Sequence, residues 1–169
     1  MMGKMTTEGD RERIATLLDN LEALWLAKKP GPNILPSRAM FSHADYRPWM
    51  GHLCIYDLHH RADGSIRLWT RLKGSIITEY DKRDDTGKFL DECMSADQYH
   101  RILSPYLQAL ESGQPVRYDR KVAGQSESIY HGVKLVLPLA NDGVTVNKFV
   151  VAIYFWFPSD RSAESTPYI

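Results

Sequence analysis

The chain has 169 residues, with 21 basic side chains, 21 acidic ones and a formal net charge of zero, so no overall field draws it to nucleic acid or to an anionic membrane. Hydrophobic residues make up 43% and charged residues 25%, the balance of one globular domain rather than a disordered or fibrous chain. No apolar run approaches the roughly 20 residues of a membrane helix, and two cysteines, Cys54 and Cys93, make no disulfide framework.

The first residues, MMGKMTTEGDRER, are polar throughout, which is not the pattern of a secretion signal. A cytoplasmic protein with reduced thiols is expected. Residues 1–30 read as an N-terminal cap helix. Thr7 and Asp10 make an approximate capping box. Ile14, Leu17, Leu18, Leu21, Leu24 and Trp25 then recur at three- and four-residue steps to about Lys28. That stripe needs a surface to cover. Lys29-Pro30-Gly31-Pro32 ends the helix, and Asn33–Asp45 reads as extended chain around Pro36.

Residues 31–157 read as one α+β domain. Leu53 and Ile55 alternate within a strand Gly51–Leu58, and Asp63-Gly64 supplies a tight turn into a second strand, Ser65–Lys73. In that strand Ile66, Leu68 and Leu72 fall on one side and Arg67, Arg71 and Lys73 on the other. Gly74 breaks it, and Ser75 caps a short apolar turn containing Ile76, Ile77 and Tyr80. Asp81–Asp85 reads as a surface loop, after which Phe89 and Leu90 turn inward. Ser95 and Gln98 form a capping box for a longer helix whose stripe is Tyr99, Ile102, Leu103, Tyr106, Leu107 and Leu110. Pro105 is expected to bend this helix, and Gly113 and Pro115 to stop it.

Three strands follow, at about 116–122, 129–139 and 144–157, with Asn141-Asp142-Gly143 making the last two a hairpin. The final strand is apolar on both faces, so it must be covered on both sides. The expected architecture is a five-stranded antiparallel sheet with helices on one face and the N-terminal helix over the other. Residues 158–169 are expected to be a disordered tail.

Three strings in this order carry a resemblance. Leu35-Pro36-Ser37-Arg38, then Arg71-Leu72-Lys73-Gly74-Ser75, then Asp84-Asp85-Thr86-Gly87-Lys88 resemble a bacterial family of stand-alone PAS domains, over roughly residues 30–157. In that family an LPSR-like entry precedes an RLVGT-like strand end and a GxDLTG-like turn. This chain departs from the pattern at three places. Lys73 and Asp85 stand where an apolar residue is usual, and Asp81 where a glycine is common. The resemblance implies a PAS-like fold, a sensory or protein-interaction role, and dimerisation through the N-terminal helix and the outer sheet face.

The strand end, the short turns and the long helix each turn an apolar face inward, which predicts a cavity. Its expected wall is Leu72, Ile76, Tyr80, Phe89, Tyr99, Leu103 and Tyr106, with Tyr130 at the start of a strand. Buried tyrosine hydroxyls want a partner, from the protein or from a ligand. Arg71 and Lys134 offer charge to an acidic ligand at the rim. The alternative is a set of core tyrosines bonded to backbone beside solvated basic side chains.

No metal and no cofactor is expected. His52, His59 and His60 with Cys54 and Asp57 lack a metal-binding spacing, and His100, the one helical candidate for haem, lies off the apolar stripe. Neither GxSxG, a P-loop nor GxGxxG occurs. The expected function is therefore a PAS-like, non-enzymatic sensory domain that binds a small ligand and acts through a homodimer or a protein partner, with no output module of its own. The alternatives are a dimeric adaptor with a filled core and a small-molecule enzyme using the same cavity.

Overall fold

The computed structural model describes residues 8–123 and 129–156. Strands β1 (Leu53–His60) and β2 (Ile66–Lys73) form one hairpin, and β3 (Val116–Ala123), β4 (Ile129–Leu139) and β5 (Lys148–Trp156) form a meander. The two units join where β1 pairs with β5, giving a five-stranded antiparallel sheet in the order β2-β1-β5-β4-β3. This is the five-stranded antiparallel α+β sheet that the alternation and turn signals imply.

Helix α1 (Glu8–Ala27) lies over one face, here called outer, formed by Leu53 and Ile55 of β1, Val133, Leu135 and Leu137 of β4, and Val150, Ala152 and Tyr154 of β5. Ile14, Leu18, Leu21 and Trp25 are buried, each worth roughly 1.5–3 kcal/mol in apolar burial. Polar contacts fix the helix as well. The Trp25 indole donates to the Pro138 carbonyl at 2.8 Å, and the Trp49 indole donates to the Leu17 carbonyl at 2.8 Å. Arg117 on β3 reaches Asp19 and Glu22 of α1.

Helices α2 (Ser75–Asp81), α3 (Ala96–Ile102) and α4 (Ser104–Ser112) lie on the inner side. Gly74 makes the sharp exit from β2 into α2. A Cβ there would stand 2.3 Å from the Gly51 carbonyl oxygen, so no other residue fits without moving backbone.

Three local expectations change. The single bent helix is two helices, because Pro105 sits in the first turn of α4, where its missing N–H costs nothing, and Leu103 joins α3 to α4. The Ser95–Gln98 capping box holds the start of α3. Strand β5 begins at Lys148 rather than near residue 144, since Asp142 accepts from the Val144 and Thr145 backbone and holds a longer loop. Asp85 is not on a surface loop; it is 2% exposed. Thr7 of the expected capping box and the expected tail at 158–169 lie outside the described residues.

Candidate functional site

Between the inner sheet face and α2–α4 lies a cavity of about 240 Å³. A β-bulge decides one of its walls. Tyr56 pairs with Thr70 but Ile55 pairs with Leu72, so Arg71 is an extra residue in β2. Beyond it the faces exchange. Leu72 pairs with the outer-facing Ile55, while Lys73 pairs with the inner-facing Cys54 and enters the cavity wall.

Lys73 is deeply placed, with its side chain 3% exposed. Its ammonium bonds Asp81 at 2.7 Å, Asp85 at 2.8 Å and the Arg83 carbonyl at 2.9 Å. Arg83 pairs with the other side of Asp85. Burial alone pulls the Lys73 pKa down, but the bonds from Asp81 and Asp85 outweigh it and hold the pKa above the ordinary lysine value. For Asp85, burial pushes upward and the bonds from Arg83 and Lys73 outweigh it, so its carboxyl lies below the usual range. Lys73, Asp81 and Asp85 are the three departures from the PAS-like motif, and they meet in one ion-pair cluster.

The wall built by β3 and β4 is different. Tyr118 is opposite Lys134 and Arg120 is opposite Gly132, and all four line the cavity. The half-buried Lys134 ammonium bonds the Tyr106 hydroxyl at 3.5 Å and lies 5.2 Å from the centre of that ring. Burial, helped by Arg120, holds its pKa down to about 8. The ion pairs lining the cavity belong to Lys73 and Arg83; among the described residues Lys134 and Arg120 form none. Tyr106 is fully buried, edge-on to Tyr56 and to Phe149, and burial raises its hydroxyl pKa. Ile77, Ile102, Pro105, Ile153 and Phe155 supply apolar surface.

Of the residues expected at the site, Tyr106 and Lys134 line the cavity. Arg71 pairs instead with Asp57 on the outer face, because the bulge leaves it on that side. Phe89 packs edge-on against Trp69 under the Arg67 guanidinium, where the loop lies along the free edge of β2. The Tyr99 hydroxyl donates to the Ile66 carbonyl at 2.9 Å, and the ring is core. Ile76 is 40% exposed beside Gly51. Tyr80 stacks on Phe155 at 4.1 Å and so stands behind the lining. Leu103, partly buried, packs against the core. The Tyr130 side chain lies outside the described residues.

Arg120 escaped the sequence reading although a signal existed: it shares the period-two face of β3 with Val116 and Tyr118. His52 bonds the Ile153 carbonyl through Nδ1 at 2.9 Å and stacks on Tyr154, a structural role. Among the described residues no group of three or more His, Cys, Asp or Glu is placed to hold a metal ion. No helix among them is long and apolar enough to cross a membrane.

No family model matches the sequence, and neither does any curated protein. The crystal structure of a LOV protein from Rhodobacter sphaeroides is similar over 87% of this chain and 71% of that one, with a TM-score of 0.43 and 10% sequence identity.

Proposed function

We propose that the protein is a cytoplasmic PAS-type sensory domain without catalytic chemistry of its own, in which a small molecule in the inner cavity biases the seat of α1. The observation that carries this reading is the cavity itself. At about 240 Å³ it exceeds the roughly 150 Å³ that suffices for benzene. A core filled by its own side chains, as an adaptor needs, leaves no such space.

The route from cavity to output is short. Strands β4 and β5 present Lys134, Ile153 and Phe155 to the cavity and Leu135, Val150 and Tyr154 to α1. The partition is one strand thick. A ligand that shifts β4 changes the bed under Leu18 and Trp25 and the anchoring bond at Pro138. A ligand acts only through its different affinity for the two arrangements. A second copy of the chain, or a protein partner, then reads the displaced helix and the apolar face beneath it.

A metabolite screen by thermal shift tests the reading beside Ile153→Trp, which fills the cavity. A ligand at about 100 times its Kd adds about 2.7 kcal/mol of stability. The expected result is a concentration-dependent rise in Tm for the wild type that is lost in the filled variant, with altered amide exchange in α1. If no compound shifts the wild type and both proteins exchange alike, the filled-core adaptor takes its place.

A further inference from the structure

The cavity is charged unevenly, and that unevenness names a ligand class. Four basic side chains line it, Lys73, Arg83, Arg120 and Lys134, against two acidic ones, Asp81 and Asp85. Both carboxylates are already engaged by Lys73, and Asp85 by Arg83 as well. The remaining two cations sit diagonally on one face of the β3–β4 pair, since Arg120 faces Gly132 two residues before Lys134. Diagonal neighbours on one sheet face lie about 7–8 Å apart, within reach of long side chains. Taking an ammonium partly out of water without a counter-charge is costly. An anion between the two removes that cost.

We propose that the cavity takes a small apolar molecule ending in a single carboxylate, with the carboxylate held between Lys134 and Arg120 and the apolar body against Ile77, Ile102 and Ile153. This deepens the sensory reading and rests on it. The volume suits an aromatic ring with a short side chain, somewhat more than the benzene-sized space of about 150 Å³. Tyr106 on α4 and Tyr118 on β3 add hydroxyls near the headgroup.

Proton uptake follows. Lys134 is held down to about 8 in the free protein, and a bound carboxylate favours its charged form. Every element packed around it contributes groups. From β1 come Cys54 and Tyr56, and from α4 Tyr106. From β3 come Tyr118 and Arg120. From the far wall come Lys73, Asp81, Arg83 and Asp85. The thiol and the buried tyrosines have raised pKa values and stay neutral through this range. Lys73 stays charged and Asp85 stays ionised. Lys134 is then the group that titrates between pH 7 and 9.

The test is a calorimetric titration with 3-phenylpropionate, benzoate and octanoate, each beside its primary amide. At pH 7 the best acid is expected to bind at least tenfold more tightly than its amide. Above about pH 8 its Kd is expected to rise roughly tenfold per pH unit, while the amide stays flat. Lys134→Met removes both the preference and the pH dependence; Lys134→Arg keeps the preference and loses the pH dependence. Arg120→Gln, at an exposed position, weakens the acid alone. Equal binding of acid and amide overturns the anion site and leaves the cavity reading standing. Binding of neither series at millimolar concentration overturns both.

Discussion

On the wall made by β2, α2 and the loop after it, Lys73 is nearly inaccessible, yet two carboxylates and a carbonyl satisfy its ammonium. Across the cavity Lys134 is also partly buried, and among the described residues its ammonium has one hydrogen bond, of 3.5 Å to a tyrosine. Burial acts on both lysines in the same direction, and the partners decide the outcome. One pKa ends above the ordinary value and the other at about 8. A buried charge is therefore no sign of a binding site until its partners are counted. The paired wall is structure, and the unpaired wall is an opportunity for a ligand.

The same operation, removing one charge, is expected to have opposite effects on the two walls. Asp85→Asn strikes the paired wall hardest, because it leaves Lys73 half-compensated inside the protein. Breaking such a pair costs about 3 kcal/mol, a fall in Tm of roughly 6–12 °C for a chain of this size, measurable by urea and thermal unfolding. Replacing both partners, Lys73→Met with Asp85→Leu, is expected to recover most of the loss, since the charges left behind, Asp81 and Arg83, are partly exposed and reach water. A double variant as unstable as the sum of the singles would mean that the two side chains do not interact.

Acid sharpens the contrast. The Asp85 carboxyl is lower in the folded protein than in the unfolded chain, where it is about 3.9. Its contribution is therefore fully present above about pH 4 and is lost as pH falls through the folded value. The urea midpoint of the wild type is expected to drop more steeply below pH 4 than that of Asp85→Asn.

Removing the charge on the other wall is expected to help. Lys134→Met takes away an unpaired, half-buried ammonium and keeps its bulk, so stability at pH 7 rises by about 1 kcal/mol. The base has the reverse sign. Lys134 has a folded pKa of about 8 against about 10.4 unfolded, so the unfolded chain binds more protons between those values. Wild-type stability is expected to climb from pH 8 toward pH 10, and the variant to lack that climb. Tyr106→Phe marks the bottom of the scale: a bond of 3.5 Å is worth about 0.5 kcal/mol or less in unfolding experiments.

Local chemistry was readable from the residues. Asp63-Gly64 turns β1 into β2, Ser95 and Gln98 cap α3, and the two-faced β5 is covered on both sides. What escaped depends on cross-strand register and on contacts distant in sequence. Strict alternation puts Leu72 with Ile66 and Leu68, but the extra residue at Arg71 exchanges Leu72 for Lys73 on the cavity wall. Nothing in the run Asp81–Asp85 marks Asp85 as buried until Lys73, twelve residues earlier, is set beside it. The three departures from the PAS-like pattern were visible as departures; that they are one another's partners needed the fold. On the cavity wall the sequence reading found Tyr106 and Lys134, the two positions where a helix stripe and a regular strand meet.

The central claim, that pairing separates the two walls, is tested most directly by following the side-chain resonances of the lysines by NMR from pH 6 to 11. Lysine ε-carbon shifts, assigned with Lys134→Met and Lys73→Met, report each ammonium separately. The account predicts that Lys134 titrates near pH 8, and that Lys73 stays protonated beyond the pH at which surface lysines lose their charge, about 10.4. Lys134 titrating together with the surface lysines would contradict it, for that wall would then be as well solvated as open surface and would have no charge waiting for a partner.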